Sequence, residues 1–298
     1  MGITAQSSLL SALARADAKT IACGSLLLGG VMMLALLSSY SVFATFPGEN
    51  GKIAFYKQVS GKFSIYTTNQ DGSGLTRLTE NKYYDRNPSW SPDARKIVFD
   101  SGDSGMSTTD IYVMNSDGTG ITRLIDDPGF DIHPAYSPDG SKIVFQSDRD
   151  GDYEIYVMNA ADGSGLIQLT NNSVADVTPS WSPDGTKIAF GSAENNGGPG
   201  GLYVMNTDST SKTRLTDTTI GGAFPSWSPD GTKIAFETGG ESQSEGEIWV
   251  LNSADGSGQT RLTGSEVRQA GEPSWSPDGQ KITFIACDSS TRCDPGEL

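Results

Sequence analysis

Trp90-Ser91-Pro92-Asp93, Tyr136-Ser137-Pro138-Asp139, Trp181-Ser182-Pro183-Asp184, Trp227-Ser228-Pro229-Asp230 and Trp275-Ser276-Pro277-Asp278 are five copies of one stretch. Nine residues after each aromatic stands a phenylalanine: Phe99, Phe145, Phe190, Phe236 and Phe284. A worn copy, Phe46-Pro47-Gly48, keeps the same step to Phe55. Successive copies are 44 to 48 residues apart, a period that belongs to propeller blades rather than helical solenoids.

The third copy shows what one period contains. Residues 131–136 form a short extended run that stops at Ser137-Pro138-Asp139-Gly140. Pro presets φ at the second turn position, Asp suits the third, and Gly takes the positive φ that follows. Residues 142–145 run back, residues 154–159 make a third strand rich in β-branched and aromatic side chains, and residues 166–170 make a fourth. Four short antiparallel strands joined by tight turns are one propeller blade. The expected fold is therefore all-β: a six-bladed propeller of four-stranded antiparallel blades. Five blades are expected complete, between about residues 45 and 265, and the sixth incomplete. Gly296-Glu297-Leu298 aligns with Gly246-Glu247-Ile248, where a third strand begins, so a six-blade unit cut short is the expectation.

Residues 1–44 differ in kind. Arg15 and Lys19 precede an uncharged stretch, 21–44, rich in Leu, Met, Val and Ala. About 20 apolar residues span a bilayer as a helix, and the basic flank keeps the N-terminus inside. The segment reads as a cleaved signal peptide or a retained transmembrane anchor, with residues 45–298 exported as the propeller. The destination is periplasmic or extracellular, or membrane-anchored with the propeller outside.

The net charge of −15 excludes the basic footprint a nucleic-acid backbone requires and favours a cation or a basic protein patch. Three cysteines are too few for a disulfide scaffold. Cys287 and Cys293 flank a short loop, and in an exported domain they are a disulfide candidate. No Cys/His grouping has zinc spacing. No Gly-x-Ser-x-Gly elbow follows the repeats, so a hydrolase reading lacks its nucleophile.

The aromatic-Ser-Pro-Asp-Gly turn, the Ile-Ala-Phe strand, the Ile-Tyr-Val-Met-Asn strand and the Arg-Leu-Thr strand together resemble the WD-repeat-like propeller of the TolB family. The resemblance covers residues 45–298. It implies an exported, non-enzymatic scaffold that binds a protein of the cell envelope or surface, without a cofactor. TolB proteins carry an α/β domain ahead of the propeller, for which residues 1–44 are not expected to supply a counterpart. The same propeller also serves as the gating part of prolyl-oligopeptidase-like hydrolases and in carbohydrate-active proteins, which is the alternative reading.

Two positions in the lead-in to each inner strand stand out. Three residues before the inner-strand Pro come Asp85, Asp131 and Asp176; one residue before it come Asn87, His133, Thr178, Phe224 and Glu272. Asp85, Asp131, His133, Asp176 and Glu272 are the candidate partner- or cation-binding residues at the channel mouth. Converging carboxylates from Asp85, Asp131 and Asp176 would suit calcium among metals. Alternatively each Asp caps its own turn. The connections after the second strand differ from copy to copy and share that end, as binding rims on rigid scaffolds do. The chain is expected to be a monomer that meets a membrane only through its N-terminal segment.

Overall fold

Each of the five motif copies ends the first strand of its own sheet in the computed structural model of the protein. The structure describes residues 24–28, 31–37, 51–80, 83–102, 108–193, 200–216, 220–239, 246–264 and 267–288. One sheet is Tyr84–Trp90, Lys96–Gly102, Thr109–Asn115 and Thr122–Arg123. The next is Asp131–Tyr136, Lys142–Ser147, Glu154–Asn159 and Ile167–Gln168. Asp176–Trp181, Lys187–Ser192, Gly201–Asn206 and Thr213–Arg214 follow, then Ala223–Trp227, Lys233–Thr238, Glu247–Asn252 and Thr260–Arg261. In these four sheets each strand pairs antiparallel with the one before it.

Both ends of the ring depart from expectation. The first repeat gives only three strands, Ile53–Val59, Lys62–Thr68 and Thr76–Arg77; its worn motif at residues 46–48 lies outside the described residues. The last repeat supplies Val267–Trp275 and Lys281–Asp288. Val31–Leu37 pairs in parallel along Lys281–Asp288, and Gly24–Leu28 pairs antiparallel on Val31–Leu37. Among the described residues the four-stranded blades thus number five, where a six-bladed ring was expected. Where the apolar N-terminal stretch is described, at Gly24–Leu28 and Val31–Leu37, it is strand rather than the expected helix. Gly29-Gly30 stands between its two strands, a pair that favours a hairpin connection and costs a helix about 1 kcal/mol per glycine. No helix among the described residues is long and apolar enough to cross a membrane.

The turn after each inner strand is held by its own side chains. Ser91, Ser137, Ser182, Ser228 and Ser276 donate their hydroxyls to the Asp two residues on at 2.6–2.7 Å. The same Oγ accepts the backbone N–H of the Lys that opens the next strand, at 2.9 Å. Thr79, Thr170, Thr216 and Thr263, the last residues of the Arg-Leu-Thr copies and their variant, accept the N–H of Ile65, Ile155, Leu202 and Ile248 across each sheet.

The core lies between neighbouring sheets. Phe99, Phe145, Phe190 and Phe236 are fully buried, and burying such a side chain stabilises by about 1.5–3 kcal/mol. Three of them stack on the tyrosine opposite, Tyr112, Tyr156 and Tyr203, with ring centroids 5.8–6.0 Å apart. Val144, Ile155 and Val157 of one sheet pack against Trp181, Ile188, Phe190 and Met205 of the next. Motif tryptophans also reach back across this seam: Trp181 Nε1 donates to Ala135 O and Trp227 Nε1 to Ser180 O, each at 3.3 Å.

Candidate functional site

Five inner strands carry one residue more than their partners can pair. The register slips between Arg86 and Ser89, Ile132 and Ala135, Val177 and Ser180, Ala223 and Ser226, and Gly271 and Ser274. Such a β-bulge bends the strand and re-aims a side chain. In every copy the residue before the Pro is left-handed, with φ of 50° at Asn87, 54° at His133, 53° at Thr178, 50° at Phe224 and 50° at Glu272. None is glycine, and each such residue costs about 1–3 kcal/mol unless its surroundings hold it.

The neighbouring blade does the holding. In three copies the side chain that follows the Phe of the second strand accepts the bulge N–H one blade further on. Asp100 Oδ1 takes His133 N–H at 3.1 Å, Gln146 Oε1 takes Thr178 N–H at 2.6 Å, and Glu237 Oε2 takes Glu272 N–H at 3.2 Å. In the strand Lys187–Ser192 that position is Gly191, which has no side chain to offer. Thr178 Oγ1 substitutes and accepts Phe224 N–H at 3.0 Å.

The bulges bring His133, Thr178, Phe224 and Glu272 from four successive sheets around one pocket of about 50 Å³, with Pro134, Pro179, Pro225 and Pro273 between them. The His133 and Phe224 rings meet edge to face at 5.4 Å. Glu272 Oε1 accepts Tyr56 Oη–H at 3.4 Å, while Glu272 Oε2 is buried without a hydrogen-bond partner among the described residues. Burial, and then the charge of Glu237, push the Glu272 carboxyl up to about 8. Burial raises Glu237 to about 7 and Asp100 to about 6. Burial, aided by the nearby Arg86 charge, lowers His133 to about 4, so its imidazole is neutral at pH 7. Arg86 itself lies over the Phe63 and Tyr84 rings, 4.5 and 5.5 Å from their centroids.

The residues expected at the channel mouth are divided by the structure. His133 and Glu272 line the pocket; Asp85, Asp131 and Asp176 do not. Each of those three stands opposite a serine of its own sheet, Ser101, Ser147 and Ser192. Asp85 Oδ1 accepts Ser101 Oγ–H at 2.6 Å, and Asp131 Oδ1 accepts Arg149 Nη2 at 2.7 Å. Asp176 Oδ2 accepts Asn172 Nδ2 at 2.8 Å and Lys212 Nζ at 3.2 Å. Burial raises the carboxyls of Asp85 and Asp131. Among the described residues no three His, Cys, Asp or Glu side chains are grouped so as to hold a metal ion. Cys293 lies outside the described residues, and with it the Cys287–Cys293 pair.

Asp100, Gln146 and Glu237 are site residues that reading the repeat misses, because a second strand that ends at the phenylalanine leaves them at the head of the connections that differ from copy to copy. They belong instead to the strands Lys96–Gly102, Lys142–Ser147 and Lys233–Thr238. The signal was their constant place, one residue after the repeat's phenylalanine.

Comparison with known proteins agrees with this architecture. The family described as TolB beta propeller domain matches residues 104–170 and 126–236. TolB from Acinetobacter baumannii superposes with a TM-score of 0.65 at 26% identity, covering 76% of this chain; the chain spans 54% of that protein. A putative TolB from Agrobacterium tumefaciens gives a TM-score of 0.68 at 21% identity, covering 84% of this chain and 91% of that one. The tricorn protease shares the fold at 16% identity and a TM-score of 0.60, over 87% of this chain and 27% of that one. No curated protein matches the chain in sequence. The repeats and these matches make the chain a β-propeller similar to that of TolB.

Proposed function

We propose that the protein is an exported, non-enzymatic scaffold that binds a protein partner of the cell envelope or surface at the hub and the adjoining loop rim. Residues 1–44 are its export segment in this reading and residues 45–298 the binding domain, acting as a monomer. One observation carries the proposal. Five bulges of the same geometry present five different chemistries, Asn87, His133, Thr178, Phe224 and Glu272, each in a strained left-handed conformation. Strain of this kind clusters where a ligand is held, and a constant frame bearing differing side chains is how recognition surfaces are built. The opposite turns, by contrast, have their serine and aspartate side chains engaged with one another. The acidic balance of the chain favours a partner with a basic contact patch.

The test is site-directed photocrosslinking in envelope preparations, with the reactive side chain placed at Phe224 or at Tyr83, which is 42% exposed. A protein adduct from both positions, absent when the group sits at exposed Ile121, just before the outer strand Thr122–Arg123, is the expected result. Equal labelling from all three positions, or none from the hub, overturns the reading.

A further inference from the structure

The hub holds more acid than its neighbours answer. Asp100, Glu237 and Glu272 face it from two second strands and one inner strand, with Arg86 the cation whose charge reaches Asp100, Glu272 and His133. Glu272 lines the pocket, and its Oε2 is buried with no donor among the described residues, although buried polar oxygens are rarely left so. The wall beside it is aromatic, made by the Phe224 and His133 rings. An orphan carboxylate oxygen next to an aromatic face is the pairing that receives an organic cation, through a charge-assisted hydrogen bond and the ring quadrupole.

Resting on the protein-binding reading above, we propose that the hub pocket receives the ammonium of a lysine side chain from the partner, bonded to Glu272 Oε2 and flanked by Phe224. The volume selects the head group. About 50 Å³ holds a few water-sized groups, where one needs about 10–15 Å³. That suits a compact ammonium and the methylenes behind it better than a planar guanidinium. Metal binding is a different chemistry, which needs several oxygen ligands around one ion.

The charged and titratable groups facing Glu272 are Glu237, Asp100, Arg86 and Tyr56, with His133 across the pocket. Cation binding needs the ionised carboxylate, so affinity rises with pH through the range where Glu272 ionises. With a carboxyl at about 8, the ionised fraction grows about tenfold between pH 7 and pH 9.

Calorimetric titration of the full chain tests this with four probes: Nα-acetyl-lysine amide, Nα-acetyl-arginine amide, cadaverine and pentan-1-ol. The lysine amide is expected to bind at least about tenfold tighter than the arginine amide and the alcohol, and about tenfold tighter at pH 9 than at pH 7. Glu272→Gln is expected to abolish that pH dependence and weaken binding at least tenfold. Binding of pentan-1-ol as tight as the lysine amide, or a flat pH profile in the unaltered chain, overturns the proposal whether or not the variant folds. Cadaverine binding without lysine amide binding overturns the assignment to a protein lysine. A partner that still crosslinks at Phe224 while no ammonium probe binds leaves the scaffold reading standing and removes the lysine.

Discussion

Asp100 Oδ1 accepts two hydrogen bonds, from Asn87 Nδ2 at 2.6 Å within its sheet and from the backbone N–H of His133 in the next sheet at 3.1 Å. One buried carboxylate therefore fixes two neighbouring bulges at once and links one blade to the next. Removing it strands two donors in the interior. Asp100→Ala is expected to destabilise by about 2–4 kcal/mol, since each unmet buried group costs about 1–3 kcal/mol. Asp100→Asn keeps an acceptor and should lose less than half as much. Urea unfolding midpoints of the two variants make the comparison.

Thr178 has the corresponding role where Gly191 offers no side chain, its Oγ1 accepting Phe224 N–H at 3.0 Å. Thr178→Val keeps the shape and removes the acceptor, and is expected to cost about 1–3 kcal/mol. The double variant with Gly191→Gln, which would restore the arrangement of Gln146, meets Gly222 O at 2.9 Å from the new Cβ. It is therefore expected not to rescue. A rescue seen in thermal unfolding would show that the seam adapts more readily than close packing suggests.

Stability should fall on both sides of a mildly acidic optimum. Asp93, Asp139, Asp184 and Asp230 are held below the usual carboxylate range, first by the serine two residues before each. Their contribution is present above the unfolded pKa and is lost as pH falls through the lower folded value. Glu237 and Glu272 move the other way, to about 7 and about 8. The folded chain then keeps protons that the unfolded chain releases near pH 4.5, so stability declines as pH rises toward 8. The slope is at most about 1.4 kcal/mol per pH unit for each proton. Glu272→Gln should flatten that alkaline limb in a series of urea titrations from pH 4.5 to 8.5.

Ala94 occupies the turn position that is Gly140, Gly185, Gly231 and Gly279 in the other copies, and has φ of 55°. A Cβ there costs about 1–2 kcal/mol, while glycine adds about 0.4–1 kcal/mol of unfolded-state freedom. Ala94→Gly is thus expected to stabilise by about 0.5–1 kcal/mol, and Gly140→Ala to destabilise by about as much. Calorimetric unfolding of both variants checks the signs together.

The repeat was readable because each of its parts answers a local demand. Ser137-Pro138-Asp139-Gly140 makes its turn from side chains within five residues of one another, and Phe145 meets Tyr156 through ordinary antiparallel register. Blade order, strand pairing and the inward place of His133 and Glu272 follow from such short-range terms. The ends of the ring did not follow. Whether Gly24–Leu28 and Val31–Leu37 coil as a helix or add to the last sheet depends on an open edge at Lys281–Asp288, some 250 residues away in the chain.

Sequence alone determined the module, its turns and its all-β character, because those rest on periodicity and on residues close enough to bond along the chain. Tertiary structure decided which acids matter. Asp85, Asp131 and Asp176 recur as conspicuously as the pre-proline residues, yet each is engaged by an own-sheet partner, Ser101, Arg149 and Lys212 among them, away from the pocket, with Asp131 Oδ2 left buried. Asp100 and Glu237 looked like the start of loops, yet they hold the next blade's bulge. A carboxylate's role depends on which donor lies within about 3 Å of it, and across blades that is set by the curvature of the ring rather than by spacing in the chain.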